Sequence, residues 1–145
     1  MLEIRAVADD DKLAHEDLAK RIDGILETYA ETHRRPFDNR YVSFEAKEDG
    51  AMIGGIHAYV LYGWCFIKLL AIEPGHRGKG LGETLMQQLE ERMRAEGVIG
   101  LWVDTYEYQA PGFYERLGFT RYGTLEAAEP ICNRHYLYKR LTATP

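Results

Sequence analysis

Six residues, Arg77-Gly78-Lys79-Gly80-Leu81-Gly82, constrain this chain more than any others because of what stands on either side of them. Before them runs an apolar stretch, Trp64 to Ile72, ended by Glu73-Pro74-Gly75. After them Leu81, Leu85, Leu89 and Met93 recur at the spacing of an amphipathic helix, and Gly97 closes that helix as its C-cap. The unit is therefore a strand, a glycine-rich turn and a helix. Glycines in such a turn let the backbone curl until several N–H groups point at one spot. The first helical turn adds its own unpaired donors and the positive end of its dipole. That combination suits an anion, phosphate above all.

Several kinds of turn share this pattern. Glycines also occur in turns that hold no ligand, and a bare glycine match is weak. A Walker P-loop is excluded, since no Lys-Ser or Lys-Thr follows a glycine at the needed spacing. A dinucleotide fingerprint fits poorly, because the glycines follow a Pro-Gly-His-Arg loop instead of ending a strand directly.

The remaining elements follow from periodicity. Leu2 to Val7 alternates and predicts a first strand. Asp9, Asp10 and Asp11 offer N-caps, and Leu18, Ile22, Ile25 and Tyr29 predict a helix over 11–31. Tyr41 to Glu48 alternates with Val42, Phe44 and Ala46 on one face, Asp49-Gly50 signals a hairpin, and Met52 to Leu61 continues it. Trp64 to Ile72, apolar on both faces apart from Lys68, suits a central strand. Val98 to Thr105 is a further strand. Pro111 opens a short helix through Leu117 that Gly118 stops, and 119–122 with 135–141 form a last strand pair. The order predicts an α+β fold, a mixed and mostly antiparallel sheet of about seven strands flanked by helices.

At 145 residues the chain fits one domain, 1–145. An apolar share of 46% and a charged share of 28% are those of an ordinary globule. No apolar run approaches the ~20 residues that cross a bilayer, and the first residues lack the design of a signal peptide. Cys65 and Cys132 show no metal-ligand spacing, so a reducing, cytoplasmic setting without a disulfide framework is expected. His57, His76 and His135 are dispersed and predict no metal site. A net charge of −5 disfavours nucleic acid and tilts toward cationic partners.

Arg77, Gly80 and Gly82 stand in the spacing Gln/Arg-x-x-Gly-x-Gly/Ala, after Leu69-Leu70-Ala71-Ile72-Glu73-Pro74. A second segment, Ala110-Pro111-Gly112-Phe113-Tyr114-Glu115-Arg116-Leu117-Gly118-Phe119, has the form Ala-x-x-Phe-Tyr-x-x-x-Gly-Phe and follows after a helix and a strand. On these two motifs, and on an element order that fits from end to end, the chain resembles the GNAT superfamily of N-acetyltransferases. The resemblance implies the GNAT acyl-CoA N-acyltransferase fold, acetyl-CoA as co-substrate, and acetyl transfer to a primary amine of a small molecule or peptide by direct attack. It implies that Arg77, Gly78, Lys79, Gly80, Leu81 and Gly82 hold the pyrophosphate. The backbone of Leu70, Ala71 and Ile72 would pair with the pantetheine arm, where the strand ending at Ile72 and the strand ending near Asp104 splay apart, and would polarise the thioester carbonyl. Tyr114 is the implied proton donor to the leaving thiolate; a phenol with a pKa of about 10 is protonated at neutral pH. The same tyrosine also reads as a half-buried aromatic packing the last helix.

The base is where the chain departs from the family. The central strand offers Phe66 and Lys68, and the next strand offers Asp104, followed by Glu107. Asp104 either takes the amine proton, directly or through water, or pairs with Lys68. Glu107 stands three residues before Ala110, where many relatives carry a cofactor-contacting Asn. An ionised carboxylate cannot donate that hydrogen bond, and Gln109 is the substitute. Glu27, Glu107 and other acids either line a site for a cationic amine or are solvated surface charges. Lys68 instead suits a substrate carboxylate. A noncatalytic acyl-CoA-binding module and a longer acyl group are the alternatives, and a homodimer through the last strands is compatible with the resemblance.

Overall fold

The computed structural model describes residues 1–143, in two compact units: Met1–Phe37, and the chain from Asp38 onward. The one regular element of the first unit is α1 (Lys12–Thr32), matching the predicted helix. Asp11 caps it, its Oδ1 accepting from the Ala14 N–H at 3.0 Å. Residues 2–7, expected as a strand, form none. Alternation marks a candidate face, but a strand needs a second extended segment to ladder with, and the first unit contains only a helix.

The second unit is built on one sheet: β1 (Arg40–Glu48), β2 (Ala51–Leu61), β3 (Trp64–Ile72), β4 (Gly100–Tyr106), β5 (Thr120–Leu125) and β6 (Arg134–Arg140), in the spatial order β1-β2-β3-β4-β6-β5. It is mixed and mostly antiparallel, as expected, with six strands where about seven were anticipated; the missing one is the segment before α1. Only β3 and β4 run parallel. The Asp49-Gly50 turn between β1 and β2 has φ of 51° and 81°, so both residues lie in the left-handed region that a two-residue hairpin requires.

The parallel crossover is carried by α2 (Leu81–Ala95), whose Leu85, Met86, Leu89 and Met93 face the core with Val42, Ile56, Ala58, Ile67 and Leu101. Each Val, Leu, Ile or Met among them, fully buried, contributes roughly 1.5–3 kcal/mol. The helix ends one residue earlier than Gly97 predicts: Glu96 is the cap, and Gly97, at φ 72°, takes the left-handed position after it. The Val98 N–H then reaches the Met93 carbonyl at 3.0 Å and the Gly97 N–H that of Arg94 at 3.1 Å, closing the helix as a Schellman motif. α3 (Pro111–Arg116) is short, as predicted, and Lys139 Nζ anchors its end by donating to the Leu117 carbonyl and to Glu90 of α2, both at 2.8 Å.

The feature that positions the site is where β3 and β4 part. They pair only from Trp64–Gly100 to Ile67–Val103. On the β2 side, Leu69 pairs with His57 and Ile67 with Ala58, so Lys68 is an extra residue on β3. A bulge of this kind bends its strand and increases the local twist. β4 meanwhile stays on β6 as far as Tyr106 opposite Arg134. The sheet therefore opens as a wedge, with the backbone edge of β3 from Lys68 to Ile72 unpaired on its β4 side.

Candidate active site

The glycine turn lies at the open end of that wedge. A single 3-10 turn, Pro74–His76, follows β3, and Gly78 and Gly80 then take φ of 75° and 77°. Side chains other than glycine adopt this region at a cost of about 1–2 kcal/mol. Gly80 is the N-cap of α2 and supplies no side-chain cap; the first bond of the helix runs from the Thr84 N–H to the Gly80 carbonyl at 3.0 Å. Among the described residues no backbone acceptor takes the N–H groups from Gly78 to Glu83, Leu81 and Gly82 included. Among the described residues Lys79 makes no ion pair, while Arg77 donates its Nε to the Ile72 carbonyl at 2.9 Å, stitching the end of β3 to the turn. A cradle of free donors with one loose cation suits a diphosphate.

Gly82 joins the two sequence motifs in space. A Cβ placed on it would stand 3.5 Å from the Phe113 ring and 4.0 Å from Ile72. The turn, the end of β3 and the helix carrying Tyr114 thus converge at one residue. Tyr114 is 7% exposed, with the rings of Phe113 and Phe119 at 5.1 and 5.5 Å. Among the described residues its hydroxyl has no hydrogen-bond partner, yet it is not sealed from solvent. Burial, and secondarily the charge of Asp104, pushes the phenol up to about 12. The packing role and the protonated state are therefore properties of the same side chain.

Asp104, on β4 at the mouth of the wedge, has a side chain 17% exposed. It does not pair with Lys68; Lys68 is the exposed bulge residue and makes no ion pair among the described residues. Its partner is Arg134 of β6, whose Nε and Nη2 both donate to Asp104 Oδ1, at 3.0 and 2.8 Å. The guanidinium carbon lies 5.5 Å from the Tyr106 ring centroid and 5.6 Å from that of Tyr136. Sequence reasoning missed Arg134, because only the β4–β6 register brings it beside Asp104.

Glu107 also acquires an unforeseen partner. It hydrogen-bonds His135, which is 3% exposed and opposite Thr105. The other ring nitrogen, Nδ1, faces Thr124 Oγ1 at 2.9 Å and Arg121 Nη1 at 3.2 Å. Arginine can only donate, so Nδ1 accepts and the proton sits on Nε2, toward Glu107. That bond holds the Glu107 carboxyl below the usual carboxylate range. Arg121 continues to Glu115 on α3 at 2.6 Å, so the network reaches the helix of Tyr114. Gln109 turns its Oε1 back onto the Tyr106 N–H at 2.9 Å and Thr105 Oγ1 at 3.2 Å, which leaves its Nε2 to donate elsewhere.

Leu70, Ala71 and Ile72 lie on the unpaired stretch of β3, with the Ile72 carbonyl already taken by Arg77. An open groove of about 580 Å³ borders this stretch, lined among others by Glu45, His57, Leu69 and Ala71. Glu27 belongs to α1 in the first unit. Both cysteines are free; burial pushes the Cys65 thiol up to about 12. Among the described residues no group of His, Cys, Asp and Glu is arranged to hold a metal ion, and no helix is long and apolar enough to cross a membrane.

Known proteins share this chain's sequence pattern and fold. Residues 5–119 match the model of the family described as Acetyltransferase (GNAT) family. The chain is 37% identical to blasticidin-S acetyltransferase of Streptomyces morookaense over 102 residues, 70% of this chain and 75% of that protein. A crystal structure of a candidate acetyltransferase from Agrobacterium tumefaciens superposes with a TM-score of 0.81 at 28% identity, covering 97% of this chain and 98% of that one. The ribosomal-protein-S18-alanine N-acetyltransferase of Escherichia coli shares the fold, with a TM-score of 0.66 at 21% identity over 73% of this chain and 72% of that one.

Proposed function

The chain belongs to the acetyltransferase (GNAT) family and is an acetyl-CoA-dependent N-acetyltransferase, and from that premise we propose that it acetylates a primary amine of a small molecule, with Tyr114 as acid and Asp104 as base. A small-molecule acceptor is supported by the relative named for blasticidin-S, matched at 37% identity over 70% of this chain. The match to the family runs through both compact units, which supports a single catalytic domain.

The observation that carries this reading is the convergence at Gly82. The N–H groups of the turn, with Lys79, would hold the diphosphate, and the open edge of β3 at Leu70, Ala71 and Ile72 would offer backbone partners to the rest of that molecule. Gln109 Nε2 is a donor on the β4 side of the wedge. Acetyl-CoA, when bound, supplies a thioester whose acyl carbon is open to attack.

The chain's own groups then handle two protons. As the amine nitrogen bonds to the acyl carbon, its proton passes to Asp104, whose Oδ2 has no protein partner among the described residues. As the carbon–sulfur bond breaks, the Tyr114 hydroxyl gives its proton to the departing sulfur. Its raised pKa keeps the hydroxyl protonated at neutral pH, so a proton is there to give. General acids and bases of this kind contribute typically 10²–10⁴-fold each. The test is thiol release from acetyl-CoA across a panel of small amines. Release by the wild type and a loss of ~10²-fold or more in Tyr114→Phe, with coenzyme A binding retained, is the expected result. No release with any amine defeats the proposal.

A further inference from the structure

Asp104 is gripped by one guanidinium from β6. Two hydrogen bonds from one guanidinium, Arg134 Nε at 3.0 Å and Nη2 at 2.8 Å, land on the same oxygen, Oδ1. Two charge-assisted donors on one oxygen pin Oδ1, and so the side-chain rotamer, more closely than a single ammonium can, and they leave Oδ2 without a protein partner among the described residues. Arg134 is itself located, with the rings of Tyr106 and Tyr136 at 5.5 and 5.6 Å. The register explains the arrangement: Asp104 stands opposite Tyr136 and Tyr106 opposite Arg134, so Arg134 reaches diagonally across the β4–β6 ladder.

We propose that Arg134 is a positioning residue that locks Asp104 so that its unbonded Oδ2 faces the acceptor amine, an inference that rests on Asp104 being the base. A reacting group displaced by about 1 Å loses on the order of 10²-fold in rate. A carboxylate free to rotate incurs part of that loss. A merely structural ion pair would stabilise the sheet and leave the rate of each folded molecule unchanged.

The experiment measures kcat, and KM for both substrates, in the wild type, Arg134→Met, Arg134→Lys, Asp104→Asn and the double variant Arg134→Met/Asp104→Asn. Calorimetry with coenzyme A serves as the check on folding. Arg134→Met is expected to lower kcat by roughly 10- to 100-fold while KM for acetyl-CoA and coenzyme A affinity change less than about twofold. In the Asp104→Asn background the same substitution should add less than about twofold, because the group it positions is already gone. Arg134→Lys, which keeps the charge but not the fork, should recover part of the rate.

A kcat for Arg134→Met within about twofold of wild type overturns the inference, as does an equal loss in the Asp104→Asn background. Full recovery in Arg134→Lys overturns it too, since charge alone would then suffice. Should Arg134→Met lose coenzyme A affinity and so fail to fold, Arg134→Lys decides by the same rule. A wild type that releases no thiol, or an Asp104→Asn variant as fast as wild type, instead marks the failure of the functional reading beneath it.

Discussion

The ring of Phe113 lies 3.5 Å from the point where a side chain on Gly82 would begin. This spacing sets the start of α2, which follows the anion-binding turn, beside the helix of Tyr114. Gly82 has an ordinary helical conformation, and 3.5 Å is a normal van der Waals distance, so one methyl group fits. Gly82→Ala should keep coenzyme A affinity within a few-fold and stabilise α2 by up to about 1 kcal/mol. Gly82→Leu should displace Phe113 and weaken coenzyme A binding by at least about tenfold, as read by calorimetry. Equal affinity in the two variants would show that the contact does not matter.

Gly80 is different in kind. At φ 77° its cost is in the backbone, with open space around it. Gly80→Ala should destabilise the second unit by about 1–2 kcal/mol in urea denaturation. It should also weaken coenzyme A binding, because the freed turn no longer aims its N–H groups together.

Tyr114 offers a spectroscopic prediction. Its pKa is raised to about 12, so near pH 11 it keeps most of its proton. The phenolate absorbance of wild type and Tyr114→Phe should therefore coincide near pH 11. A phenol that ionises more readily unfolded than folded favours the unfolded state as pH rises, so its contribution is intact below about 10 and is lost progressively toward 12. A clear excess of phenolate in wild type at pH 11 would place Tyr114 in solvent.

The Glu107–His135 bond predicts the opposite pH dependence. Glu107 is held below its ordinary range. Its contribution is present above the unfolded carboxylate pKa, about 4.3, and disappears as pH falls through the folded value. Denaturation of Glu107→Gln from pH 6 to 3 should show a shallower loss than wild type. His135→Phe should cost about 1–3 kcal/mol at neutral pH, since Thr124 and Arg121 lose their shared acceptor.

What could be read in the chain was contiguous. The turn at Arg77–Gly82 and the Phe113-Tyr114 motif are short stretches whose residue types have local reasons, and the helix of Leu85, Leu89 and Met93 declares itself by spacing. The hairpin at Asp49-Gly50 did so by its turn chemistry. What could not be read depends on register. The bulge at Lys68 exists only because His57 and Ala58 pair across it. Arg134 and Asp104 are 30 positions apart and meet only on the β4–β6 ladder. Glu107 and His135 are 28 apart and depend on the same ladder. Residues 2–7 erred the other way, since their alternation is real but finds no ladder in their own unit.

A crystal structure of the coenzyme A complex tests the central claim most directly. The pyrophosphate should accept hydrogen bonds from backbone N–H groups between Gly78 and Gly82, with the sulfur in the β3–β4 wedge within hydrogen-bond reach of the Tyr114 hydroxyl. A pyrophosphate bound away from that turn, or a sulfur far from Tyr114, would contradict it.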